Sequence, residues 1–110
     1  MKPDEANRRS SVRKRPKGWL KVDCRRRGSL GPSVADVVWD VSQTGLCLVM
    51  TSEMKPGQEL ELQITSSSLT QVLKLIGKII WIDALDNNKY SAGIRFEETL
   101  PYQQITQLTL

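Results

Sequence analysis

From Trp19 onward the chain alternates apolar and polar residues in short runs. "WLKVDC" sets Leu20, Val22 and Cys24 on one face and reads as a strand. "RRRGSLGPS" supplies turn residues. "VADVVWDV" predicts a second strand, with Val37, Trp39 and Val41 sharing a face. "SQTG" is a turn and "LCLVM" a third strand, followed by the turn "KPGQ". "ELELQIT" alternates cleanly, with Leu60, Leu62 and Ile64 inward and Glu59, Glu61 and Gln63 outward. "TQVLKLIGKIIWI" is long for a strand, and Gly77 in its middle predicts a bulge or bend. "DALDNNK" reads as a loop and "YSAGIRF" as a sixth strand. In "PYQQITQLTL" the spacing turns helical, with Tyr102, Ile105 and Leu108 three apart behind Pro101.

Six short strands with regular turn signals predict an all-β fold with a short C-terminal α-helix: a six-stranded antiparallel β-barrel. Closure removes exposed sheet edges, and the helix is placed to cap an open end. The 110 residues allow one domain. No apolar run approaches the roughly eighteen residues of a membrane span, and the basic N-terminus carries no secretory signal. Cys24 and Cys47 sit in strand-like alternation and read as reduced core thiols of a cytoplasmic protein, a disulfide between them being the alternative. With no His and no CxxC, no metal set is expected.

Charge changes the picture. Residues 1–27 hold eleven Lys/Arg against three Asp/Glu, a net of +8. Residues 28–110 hold five against nine, a net of −4. The basic character belongs to the N-terminal quarter and points to a phosphate-bearing partner. Residues 1–16, nearly devoid of apolar side chains, are expected to form a flexible basic arm, and residues 17–110 the barrel with its helix.

The candidate chemistry is binding. Without His there is no Ser-His or Cys-His pair, and Glu59 and Glu61 are an outward strand face, so no enzyme is expected. "RRSSVR" sets Arg9 and Arg13 four apart, with Arg8 adjacent. The arginine fork pairs bidentately with phosphate oxygens, fits the O6/N7 edge of guanine and stacks on bases. Taken alone, such a run is a solvated tail. "DVSQTG", Asp40 to Gly45, joins two strands. Taken alone it is a hairpin turn in which Gly45 permits a positive φ. In a functional reading the Asp40 carboxylate accepts from guanine N–H donors and the Ser42 hydroxyl adds one more bond.

Together the two features resemble the PilZ domain: RxxxR near the N-terminus, then [DN]xSxxG between two strands. "LIGKIIWID", "SAGIRFEE" and the closing "ITQLTL" are similar to that family's later strands and terminal helix, so the resemblance covers roughly residues 8–110. It implies a six-stranded barrel with a C-terminal helix and binding of cyclic di-GMP, a bacterial second messenger. By motif, Arg9 and Arg13 would wrap the ligand with Arg8 as an auxiliary contact. Asp40 and Ser42 would read a guanine from the barrel, and Gly45 would let the turn close. Trp81 stands where some members place an aromatic beside a guanine, the alternative being a core or rim residue. Trp19 and Trp39 are left in the core or on its rim. "KRPKG" after Arg13 departs from the family pattern, in which an apolar strand residue follows, and is expected to alter how the arm folds back or to add Lys14 or Arg15 to the contacts.

The resemblance implies that ligand binding orders the arm against the barrel and signals to an unidentified bacterial partner protein, with no cofactor beyond the ligand itself. Two rivals remain. One is a small β-barrel nucleic-acid-binding module with a basic arm, against which stand the acidic remainder and only six aromatic residues. The other is a PilZ-like interaction domain without ligand. No nucleic-acid polymer is expected as a partner.

Overall fold

A computed structural model describes Arg15 and residues 19–69 and 71–108. Six strands follow in chain order: β1 (Leu20–Arg26), β2 (Ala35–Val41), β3 (Gly45–Met50), β4 (Glu59–Ser66), β5 (Leu73–Ala84) and β6 (Tyr90–Phe96). A seven-residue helix, α1 (Tyr102–Leu108), ends the described chain.

All pairings are antiparallel, in the spatial order β1-β4-β5-β6-β3-β2. The sheet curls into a nearly closed barrel. Its ends meet where the Val34 amide donates to the Cys24 carbonyl at 2.8 Å. Ser33 Oγ accepts the Cys24 amide at 2.9 Å and Arg25 Nε donates to the Gly31 carbonyl at 2.7 Å. The "GPS" stretch is thus a patch that satisfies β1 where β2 does not reach.

The predicted alternation holds along β1 and β4. Val22 and Cys24, with Leu60, Leu62 and Ile64, are buried. They meet Leu46, Leu48 and Met50 of β3 and Ile79 and Ile94 of β5 and β6 in one core. Leu100, Ile105 and Leu108 join that core from the chain end, so the helix packs its apolar stripe onto the barrel.

Two expectations change. Val37 and Trp39 stand at the surface, 49% and 45% exposed, instead of sharing the inward face with Val41. The cause is two register shifts in β2, between Ala35 and Val37 and between Val38 and Asp40. Each sets two residues against one on β3 and so resets the phase of the strand. Of the two positions open for Trp19, core or rim, its 58% exposure excludes the core. The irregularity of β5 falls between Ile79 and Trp81, not at Gly77. Gly77 is in regular register with Leu60 and Phe96, and a Cβ there would come within 2.6 Å of Ile94 Cγ2. It is small because the core leaves no room. Cys24 and Cys47 are both buried and no disulfide joins them; Cys24 lies in the core, whereas Cys47 belongs to the outer row described below.

Candidate functional site

The register of four strands builds one row across the outside of the barrel. Asp40 of β2 faces Cys47 of β3, Cys47 faces Gly93 of β6, and Gly93 faces Trp81 of β5. Directly opposed residues of an antiparallel sheet point to the same side. The neighbouring row, Val41, Leu46, Ile94 and Ile79, points into the core, so the row of Asp40 points outward.

Both ends of this row are bulged. Trp39 and Asp40 together oppose Cys47, and Ile80 and Trp81 together oppose Gly93. Each bulge presents two consecutive side chains to one surface where regular strand would present one. Trp39 and Ile80 are accordingly about half exposed, while Asp40 and Trp81 are half-buried. The floor between them is low. Cys47 and Gly93 are buried, and a Cβ on Gly93 would lie well inside contact distance of the Trp81 indole. The indole therefore lies against the glycine backbone. Trp81 is half-buried on the outer face of the barrel.

The turn after Asp40 is held by Ser42. The Ser42 amide donates to the Gly45 carbonyl at 2.8 Å. Its hydroxyl oxygen accepts the amides of Gly45 at 3.2 Å and Thr44 at 3.3 Å. The same hydroxyl lies 3.3 Å from the Gly45 carbonyl and 3.3 Å from Thr44 Oγ1. At 1% exposure Ser42 directs its hydroxyl into the turn, not towards the outer face. Gly45 does not have a positive φ, which among the described glycines is found at Gly28 and Gly57. Its smallness serves close approach instead: a Cβ would collide with the Ile94 carbonyl.

The turn is also tied to the chain end. Leu100 donates its amide to the Gln43 carbonyl at 2.8 Å, and Gln43 Nε2 donates to the Leu100 carbonyl at 3.1 Å. The Phe96 amide adds a bond to the Thr44 carbonyl at 2.8 Å. Asp40 therefore stands at the end of a strand whose following turn is anchored to β6 and to the start of α1.

One row towards the opposite rim, Val49 faces Ser91, which faces Asp83. Ser91 is fully buried there, and its hydroxyl has no hydrogen-bond partner among the described residues. Arg8, Arg9 and Arg13 of the RxxxR motif lie outside the described residues. The alternation rule missed Trp39 and Ile80 as surface residues, because a bulge leaves no mark in the apolar pattern.

Among the described residues no group of three or more His, Cys, Asp or Glu is placed to hold a metal ion. No described helix is long and apolar enough to cross a membrane. Burial pushes the Cys24 thiol up to about 12, against a smaller opposing pull from Arg25, so this thiol is protonated and unreactive near neutral pH.

A comparison with curated protein sequences finds no match. Among solved structures, the Bacillus subtilis inhibitor of motility, MotI/DgrA, is similar in fold at 17% identity and a TM-score of 0.65, over 92% of this chain. The chain spans about half of that protein, 48% of its length. The family model of the PilZ domain matches residues 7–110, from the arginine-rich segment through the terminal helix. The chain belongs to the PilZ domain family, whose members are in general receptors for cyclic di-GMP.

Proposed function

We propose that this chain is a receptor for cyclic di-GMP and binds it on the outer row from Asp40 to Trp81. The observation that carries this reading is the register itself. It sets a carboxylate and an indole on one face, at opposite ends of a floor of buried small side chains. Asp40 accepts the N1–H and N2–H donors of a guanine, and Trp81 offers an apolar ring at its side. Ser42 and Gly45 fix the turn that aims Asp40. Arg9 and Arg13, with Arg8 beside them, meet the phosphates and the O6/N7 edges of guanine.

Ligand binding fixes residues 1–16 against the barrel, which makes recognition a coupled ordering event. Ordering costs roughly 1–2 kcal/mol per residue in backbone entropy. Charge-assisted bonds of about 1.5–3 kcal/mol each offset this for several residues. The changed surface is then read by a partner protein. The work is binding and signalling in the cytoplasm, not catalysis.

The test is a calorimetric titration of the purified chain with cyclic di-GMP, with GTP and a short single-stranded oligonucleotide as controls. Saturable binding of the cyclic dinucleotide alone is expected. Heat with the oligonucleotide only would make the chain a polyanion-binding module and defeat the proposal.

A further inference from the structure

Next to the Asp40 row, on the same outer face, lies a second row: Gly45, Arg95, Lys78 and Glu59. Lys78 and Arg95 are directly opposed across the β5–β6 ladder. Like charges at such positions repel and destabilise the sheet. Neither cation makes a salt bridge with a described residue, and both are exposed. They line a cleft of about 330 Å³, floored by apolar Ile76 and Ile80. Ile80 belongs also to the bulge that carries Trp81, so the cleft borders one end of the proposed ligand row.

Two carboxylates line the same cleft, Glu59 and Glu97. Glu59 is drawn off by Arg27, whose Nη1 lies 3.2 Å from its Oε1. That pair is neutral. Lys78 and Arg95 against Glu97 leave one net positive charge in the cleft. Net positive charge of this kind attracts an anion such as a phosphodiester. An arginine fork beside a lysine point charge is also suited to the two free oxygens of a diester.

We infer that Lys78 and Arg95 form a phosphodiester site, the barrel's own contribution of positive charge to a cyclic dinucleotide whose guanine rests on the Asp40–Trp81 row. The inference rests on the receptor reading above. It gives the ligand a cationic wall from β5 and β6. Residues 28–110 are net acidic, and these two cations place positive charge on one face of that segment.

The test uses the full chain and calorimetry with cyclic di-GMP. Lys78→Ala and Arg95→Ala are each expected to weaken binding about tenfold, as for the loss of one charge-assisted contact. Arg95→Lys is expected to retain most of the affinity. Removing one of two opposed like charges relieves their repulsion, so the thermal midpoints of the alanine variants stay at or above the wild-type value, which separates lost binding from lost fold. Weaker binding at an unchanged ratio assigns the diester to the dinucleotide on the row. A ratio that falls from two to one would place a second copy in the cleft and overturn the assignment to the dinucleotide on the row. Alanine variants that bind as the wild type does overturn the inference and leave the receptor reading standing. A wild-type chain that does not bind cyclic di-GMP overturns the receptor reading itself.

Discussion

The indole of Trp81 rests on the backbone of Gly93, its directly opposed neighbour across the β5–β6 ladder. The contact exists because position 93 has no Cβ: one added there would fall inside the Nε1–Cε2 edge of the ring. Gly93→Ala should push the indole off the sheet. Overpacking of this kind costs about 1–3 kcal/mol. A lowered thermal midpoint, a shifted Trp fluorescence and weaker cyclic di-GMP binding are expected together. Unaltered fluorescence and affinity would show that the ring is not a platform for the ligand.

Arg13→Ala should cost the most affinity of any single change in the arm, ten- to hundredfold, as the loss of one or two charge-assisted contacts. Asp40→Ala should cost a similar factor with little effect on stability, since Asp40 is half-buried on the outside of the barrel. Calorimetric affinities paired with thermal melts check both, and unchanged affinity in either variant would remove that residue from the site.

Ser42 separates stability from recognition. Its buried hydroxyl takes the amides of Thr44 and Gly45. Ser42→Ala leaves those donors without their acceptor, at a cost of about 1–3 kcal/mol. Denaturant unfolding should show this loss, with a smaller loss of ligand affinity than Asp40→Ala produces. A stable Ser42→Ala variant that binds no ligand would instead make the hydroxyl a direct contact.

Ser91 predicts a gain. A buried hydroxyl with no partner among the described residues carries a desolvation penalty. Ser91→Ala should raise stability by about 1 kcal/mol, read as a higher thermal midpoint. A lower midpoint would show that the hydroxyl is engaged in the folded protein.

Alkaline pH should act through Cys24, whose folded pKa is raised from 9.0 to about 12 by burial. Below pH 9 the thiol is protonated whether the chain is folded or not, and stability does not depend on it. Between pH 9 and about 12 the unfolded chain releases a proton that the folded chain keeps. Stability then falls by up to about 1.4 kcal/mol per pH unit. Cys24→Ala should be less stable at neutral pH but lose stability less steeply from pH 9 to 11. Parallel curves for the two proteins would show that another group sets the alkaline loss.

The sequence by itself determined the six strands, the closing helix and the family. Apolar alternation at Val22 and Cys24, and at Leu60, Leu62 and Ile64, is dictated by a sheet with one buried face, and glycines and prolines punctuate it. The arginine spacing and the Asp40–Gly45 motif were legible because they are local. Tertiary structure alone decided what shares a face. Alternation assigns a side to each residue only while the strand stays regular, and three register shifts in β2 and β5 break that count. They turned Val37 and Trp39 outward and brought Asp40 into line with Trp81, some forty residues away in the chain. The opposed cations Lys78 and Arg95 were hidden for the same reason. Their adjacency is a matter of pairing register between strands, which is set by the whole barrel closing around its core and by no local stretch of sequence.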